Sequence, residues 1–324
     1  MKSRFSHRRI GLIVAITGLA CACAPTQATD SAPVDIGDCR SIEIVVGFGV
    51  GGGTDTFSRN LSLSLAADIA VPVRVVNYPT GGGVAAYREI LKRPADGCAL
   101  MAVTSDYLVL DASEPKLVDI SKLNFLVRAH TEPGLLSVKS SRFKAWDDLI
   151  ENVRVEERSL LVGGVGAKSF DRAAVTIALA PSGIQFRYIP YAGSKQMQAD
   201  LLGGRLDLIY DEYSAMGPLF EAGEVHPVVS FTLDRLSVLP DVPTSTELGL
   251  ATPPEIWRGI GVAAETPQDI TDDWMRRISI AMDTERYLGY EQSRRLDLTN
   301  GRAFGPVFSG TVEREREQFS TVLK

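Results

Sequence analysis

Histidine is scarce in this chain. Only His7, His130 and His226 occur in 324 residues, too scattered to form a metal-ligand spacing with the four cysteines. Nucleophilic catalysis needs a serine or cysteine with a base close by, and neither His130 nor His226 has a recognisable partner in sequence. An enzyme, a metal site and a cofactor are therefore not expected. A basic excess is missing too. With 34 Lys and Arg against 40 Asp and Glu, the formal net charge is −6, so nucleic acid, whose phosphates call for a basic field, is not the expected partner. The apolar run Ile10 to Ala20 falls short of the roughly 20 residues that span a bilayer.

That run has the form of a targeting segment instead. Lys2, Arg4, Arg8 and Arg9 precede it, and Gly-Leu-Ala-Cys21-Ala-Cys23 closes it. Small residues before a cysteine resemble a bacterial lipoprotein signal covering 1–22. Cys23, or else Cys21, would become the lipidated N-terminus; ordinary signal-peptidase cleavage nearby is the alternative. Residues 23–38, rich in Ala, Thr, Pro and Asp, read as a flexible tether. The protein is thus expected on the periplasmic or extracytoplasmic face of the membrane. Export bears on the other two cysteines. Cys39 and Cys98 each precede an apolar run, Ile42 to Val46 and Ala99 to Val103. If those runs are parallel neighbouring strands, both cysteines sit at one end of the sheet, and an oxidising compartment favours a Cys39–Cys98 disulfide. Two free buried thiols are the alternative.

What the chain does have is glycine at the ends of its apolar runs. Ile42 to Val46 reads as a buried strand, Gly47 to Gly53 as a turn nearly devoid of side chains, and Phe57, Leu61 and Leu65 as one face of a helix. A strand feeding bare backbone into a helix N-terminus presents free N–H groups at the positive end of a helix dipole, which suits an anion. Val71 to Val76 followed by Asn77-Tyr-Pro-Thr-Gly-Gly-Gly83 repeats the plan. So does Ser159 to Val165 followed by Gly166-Ala-Lys-Ser169, and so does Phe186 to Pro190 followed by Tyr191-Ala-Gly-Ser-Lys195. The alternation of strand and helix predicts mainly parallel sheets with ligands beyond the carboxyl ends of the strands. Gly47-x-Gly49-x-x-Gly52 matches a dinucleotide fingerprint by letters, but the second strand ends at Asn77-Tyr78 where an acidic ribose ligand is expected. A phosphate-binding P-loop fails because no Lys-Ser/Thr follows the glycines. The length suits two domains. The predicted division is 39–138 with 256–324 as the first and 139–255 as the second, holding a small anion between them like a hinge.

Six ordered motifs sharpen this. Gly51-Gly-Gly-Thr-Asp55, Pro79-Thr-Gly-Gly-Gly83, Ala95-Asp-Gly97, Pro190-Tyr-Ala-Gly193, Leu201-Leu-Gly-Gly-Arg-Leu-Asp207 and Leu239-Pro-Asp-Val-Pro-Thr244 with Glu247-Leu-Gly249 together resemble the substrate-binding proteins of tripartite tricarboxylate transporters, the Bug family. The resemblance runs from Cys39 onward. It implies an α/β, two-domain periplasmic-binding-protein fold of the second class, and capture of a mono-, di- or tricarboxylate for delivery to membrane permease subunits. A sensor of the same fold that signals to a membrane receptor is the alternative. A monomer is expected.

The residues that would meet the ligand are Phe48, Gly52, Gly53, Thr54, Asp55 and Gly82 from the first two turns. Thr104 and Ser105 follow the third strand; Gly166, Lys168, Ser169, Tyr191, Lys195 and Asp211 come from the second domain. Lys168 and Lys195 depart from the family pattern, and a lysine at a helix N-terminus is misplaced unless an anion offsets it. Both are therefore candidates for a ligand carboxylate. Asp55 would repel one, and capping its own helix is its alternative role. Trp257 and Arg258 lie where the chain recrosses, as hinge or cleft residues.

Overall fold

The computed structural model describes residues 39–299 and 301–323. The expected signal, both candidate lipidation sites Cys21 and Cys23, and the tether lie outside the described residues. The chain opens with β1 (Ile42–Val46), α1 (Gly53–Leu65), β2 (Val73–Asn77), α2 (Val84–Ile90), β3 (Ala99–Thr104) and α3 (Asp106–Ser113). It continues through β4 (Leu123–Glu132), β5 (Gly134–Lys139), α4 (Trp146–Val155), β6 (Leu160–Val165), α5 (Phe170–Leu179), β7 (Phe186–Tyr191), α6 (Ser194–Leu202), β8 (Leu208–Glu212), α7 (Tyr213–Glu221) and β9 (Val225–Ser230). It closes with β10 (Ile256–Ala263), α8 (Gln268–Met282), α9 (Glu285–Ser293), β11 (Ala303–Phe304) and α10 (Gly305–Val322).

Two mixed sheets result. The first has the order β11-β4-β10-β3-β1-β2 and the second β7-β6-β8-β5-β9. In the first, β1 runs parallel to β2 and β3, while β10 is antiparallel to β3 and β4. In the second, β6 runs parallel to β7 and β8, and β5 is antiparallel to β8 and β9. The near-continuous apolar character of β1 and β3 follows from burial on both faces. Cys39 and Cys98 are disulfide-bonded, joining the N-terminal ends of the neighbouring strands β1 and β3.

Each sheet with its helices forms a lobe, and α10 ties the two together. Phe308 on α10 meets Trp257 edge-on at 5.0 Å in the first lobe, and Phe319 meets Phe170 edge-on at 5.9 Å in the second. Aromatic pairs of this geometry add about 0.5–1.5 kcal/mol beyond their buried area. Among the described residues no helix is long and apolar enough to cross a membrane.

Local readings differ from expectation at several points; β2, expected from Val71, begins at Val73. α1 begins at Gly53, inside the glycine run, because the Asp55 carboxylate takes the Gly51 N–H at 2.8 Å and draws the loop onto the helix. A helix, α3, follows the third strand directly; its run Tyr107 to Leu110 is wholly buried, so it carries no helical periodicity to read. The run Leu206 to Tyr210 reads as a strand, but β8 starts two residues later, at Leu208, and the short edge strand β11 pairs with β4.

Candidate functional site

The carboxyl ends of β1, β2 and β3 in one lobe and of β6, β7 and β8 in the other bound a cleft, and polar contacts cross it. The Phe170 N–H at the start of α5 donates to Asp106 Oδ1 at 2.9 Å. Lys168 pairs with Glu114, and the Ser214 hydroxyl donates to Glu132. These contacts join the two lobes at this edge.

In the first lobe the glycine loop is held from below. Gly47 leaves no room for a side chain: a Cβ there would lie 2.4 Å from the Tyr107 hydroxyl and 2.8 Å from Gly83 Cα. Asn77 donates to the Phe48 carbonyl at 3.0 Å and to Asp55 Oδ1 at 2.9 Å, fixing the loop to the end of β2. Asp55 is fully buried and pairs with Arg59 at 2.9 Å. Burial pushes the Asp55 carboxyl up, but the bonds from Arg59, the Gly51 N–H and Asn77 outweigh it and hold the group below its ordinary value. Asp55 thus organises the loop.

Above it, Gly52 and Gly53 are exposed, and no side chain caps the N-terminus of α1. The buried Arg258 guanidinium lies beneath this turn. A Cβ on Gly53 would stand 2.6 Å from Arg258 Nη2, and Arg258 Nε donates to Thr54 Oγ1 at 3.4 Å. Arg258 also pairs with the buried Glu132. Nearby His130 has its Nε2 3.7 Å from Glu132. Burial first, then the charges of Arg258 and Arg302, hold the imidazole well below its usual range, so it is neutral and forms no ion pair.

Several expected ligand groups are already engaged. The Ser105 hydroxyl accepts from the Trp257 N–H at 3.0 Å, and the Thr104 hydroxyl donates to Asp106 Oδ2 at 2.9 Å. Gly82 is exposed in the turn between β2 and α2 at φ 63°, a left-handed conformation that suits glycine. In the second lobe, Gly166 has φ 78°, and Ser169 caps α5 by accepting from the Arg172 N–H at 3.4 Å. The Tyr191 hydroxyl donates to Asp200 at 2.8 Å. Lys168 is mostly exposed, and Lys195 is exposed with no ion pair among the described residues.

Asp211, by contrast, belongs to a cluster that the sequence reading did not assemble. It is buried beside Glu212 and near Asp171, and half-buried Asp106 faces them from the first lobe. Burial pushes the Asp211 carboxyl up to about 6, against bonds from Gln198 at 3.2 Å, the Glu212 N–H at 3.1 Å and Ser194 at 3.3 Å. Burial, then the charges of Asp211, Asp171 and Asp106, hold Glu212 well above its ordinary value. Asp171 is raised well above its own by burial, against a 2.7 Å bond from the Val165 N–H, with Asp106 and Asp211 adding to the rise. The available signal was the placement of Asp106 and Glu212 at strand ends, immediately after residues already singled out. A cavity of about 800 Å³ between α1 and α9, lined by Thr56, Asn60, Tyr290 and Arg294 among others, includes none of the expected ligand residues.

With this geometry in hand, comparison with known proteins places the chain. Residues 57–301 match the model of the tripartite tricarboxylate transporter family receptor, TctC. A Cupriavidus necator protein, UPF0065 protein in gbd 5'region, is 26% identical over 98% of this chain and 96% of its own length. Protein BugT of Bordetella pertussis is 28% identical over 74% of this chain and 72% of its own. Among solved structures, R. palustris Rpa4515 with adipate superposes with a TM-score of 0.76 at 25% identity, covering 87% of this chain and 96% of that one. MatC from Rhodopseudomonas palustris with bound malate has a TM-score of 0.75 at 23% identity, covering 88% and 99%. These matches make the fold that of a periplasmic binding protein and the role that of a solute receptor rather than an enzyme. The chain belongs to the tripartite tricarboxylate transporter receptor family, TctC.

Proposed function

We propose that this protein captures a small organic acid in the cleft between its lobes and delivers it to the membrane permease of a tripartite tricarboxylate-type transporter. Residues 39–138 with 256–324 form the first domain of this receptor and 139–255 the second, and the two close over the ligand. The observation that carries the reading is the uncapped N-terminus of α1, entered through bare glycine and lying over a buried guanidinium. Backbone N–H groups, the helix dipole and Arg258 all favour a carboxylate there. The Gly53 N–H and Thr54 supply the nearest donors, the Gly52 N–H being taken by the Gly49 carbonyl at 3.2 Å. Solved structures of the same fold with bound malate and with adipate support the ligand class. Export on the N-terminal signal, followed by lipid attachment at Cys23 or Cys21, would tether the receptor beside its permease.

The test is a thermal-shift screen of the purified protein against citrate, succinate, malate, adipate and glutamate, each paired with its neutral amide. Ligand at about 100 times its Kd adds roughly 2.7 kcal/mol to stability, enough to move the midpoint by several degrees. A shift with at least one acid and none with its amide is the expected result. No shift with any acid, from a folded sample free of bound ligand by mass spectrometry, refutes it.

A further inference from the structure

We infer that Asp106 sets the selectivity of this cleft: its carboxylate fills the anion position that the second lobe offers at the start of α5, so the receptor takes acids with one carboxylate and a neutral far end in preference to diacids. The inference rests on the carboxylate reading above and narrows its ligand class.

Two separate contacts lead to it. The first is a carboxylate already seated on α5. A helix N-terminus presents N–H groups that suit an anion, and here the Phe170 N–H donates to Asp106 Oδ1 at 2.9 Å. The other carboxylate oxygen, Oδ2, accepts from the Thr104 hydroxyl at 2.9 Å. Asp106 is thus held at both oxygens, and its group is chemically the one a ligand acid would bring. Ser169 takes a further donor of the same helix start, the Arg172 N–H, at 3.4 Å.

The second contact engages the cation of the same turn. Lys168 pairs with Glu114, the residue that follows the end of α3, while Asp106 is the residue that opens that helix. An acid from each end of α3 therefore meets residues 168 to 170, one on the lysine and one on the helix N–H. The matching turn of the first lobe is filled by neither device: no side chain caps α1, and a guanidinium lies beneath Gly53. Nor does the next turn of the second lobe replace α5. At the start of α6 the Ser194 hydroxyl donates to the buried Asp211 carboxylate at 3.3 Å.

A second ligand carboxylate brought to α5 would have to displace Asp106 or lie against it, and like charges at close range repel. Selectivity of this kind penalises the wrong ligand instead of adding contacts to the right one.

The test is calorimetry on the purified protein at pH 7.5 with each diacid set against its half-amide: succinate and succinamate, glutarate and glutaramate, adipate and adipamate. A half-amide keeps the length and one carboxylate. At least one should bind about tenfold or more tightly than its diacid, a gap of about 1.4 kcal/mol. Asp106→Ala, which frees the Phe170 N–H, should bring that ratio to one or below. Asp106→Asn removes the charge but keeps an acceptor on the N–H, so its ratio should fall between the two, and it is the variant to read if Asp106→Ala does not fold. A contact that only joins the lobes would weaken both members of a pair alike. An unchanged ratio in the variants therefore overturns the inference. So does a diacid that binds the unaltered protein as tightly as its half-amide, and loss of that binding in Lys195→Ala would assign the second carboxylate to the start of α6. Both results leave the carboxylate reading standing. Silence of all six acids overturns the inference and the carboxylate reading together.

Discussion

The two edges facing each other across the cleft are built from the same strand–turn–helix unit, and they differ in what fills and what lies behind the helix N-terminus. In the first lobe the helix α1 opens through exposed glycines without a side-chain cap, over a buried arginine. In the second lobe α5 is capped by Ser169, and its first N–H is taken by Asp106 reaching over from the other side. Asp55 in the first lobe is neutralised by Arg59, while Asp211 and Glu212 in the second form no ion pair with a lysine or arginine among the described residues. The backbone device is therefore not a site by itself. What fills the helix N-terminus, and what charge lies behind it, decides whether it can hold a ligand anion.

The largest effect should come from removing the charge behind the open end. Arg258→Ala leaves Glu132, 2% exposed, without its counter-ion. Breaking a buried pair in this way costs about 3–5 kcal/mol, to be read from the urea midpoint, and carboxylate binding should vanish with it. Arg258→Lys keeps the charge and should lose less stability. Equal losses in the two variants would mean that shape, rather than charge, matters beneath Gly53.

A second asymmetry is covalent. The disulfide lies in the first lobe, where it pins β1 to β3 across 59 residues of chain. Chain entropy predicts about 4 kcal/mol for a loop of that size, with measured losses of roughly 2–5. Replacing both Cys39 and Cys98 by Ser should therefore lower hydrogen-exchange protection in β1 and β3 most, and leave β6 and β8 protected nearly as before. Uniform loss across both sheets would show that the lobes unfold as one unit.

Packing under the glycine loop comes next. Gly47→Ala forces its Cβ against the Tyr107 hydroxyl and Gly83 Cα, and overpacking of this kind costs about 1–3 kcal/mol. Tyr107→Phe in the same chain should recover part of that loss, because it removes one of the two clashing atoms, and a double-mutant cycle measures how much.

The charge contrast also predicts an unusual response to pH. Asp211 has its folded-state pKa raised to about 6, and Glu212 and Asp171 are raised as well. For a raised carboxyl the folded state binds the proton more tightly, so ligand-free protein should gain stability as pH falls from 7 toward 5. Asp55 is lowered instead, so its contribution is lost only as pH falls below the ordinary carboxyl value. The thermal midpoint should thus rise and then fall on acidification. Glu212→Gln should flatten the rise, and a midpoint that falls steadily from pH 7 would contradict the raised values.

How much of this could be read from the sequence follows the same division. The unit from Ile42 through α1, the parallel alternation, the cysteine pair and the C-terminal helices are all written in local patterns: apolar period, glycine at turns, residues flanking a strand. α3 was not, because Tyr107 to Leu110 is buried on every side and has no polar face to set a period. The open half of the cleft was legible for the same reason as the strands, since its glycines announce a bare turn. The acidic half was not. Asp171 and Glu212 come from separate segments of the second lobe, and Asp106 approaches them from the first. Glu132 and Arg258 likewise meet between neighbouring strands more than 100 positions apart in the chain.

The smallest effect concerns Lys168, which the sequence suggested as a ligand cation. Its side chain is 61% exposed and pairs with Glu114 on the far side of the cleft. An exposed pair of this kind is worth about 0–1 kcal/mol, so Lys168→Ala should leave the urea midpoint almost unmoved. The informative readout is the angle between lobes. If the lysine serves as a latch, Lys168→Ala and Glu114→Ala should each shift scattering of ligand-free protein toward a more open form, and the double variant should add nothing further. Ligand affinity would fall only modestly in both. If the lysine contacts the ligand carboxylate instead, Lys168→Ala alone should weaken binding, and Glu114→Ala should strengthen it by freeing the ammonium. The opposite signs expected for Glu114→Ala separate a latch from a ligand contact, and they do so at a point where an acid of one lobe meets a lysine of the other in solvent.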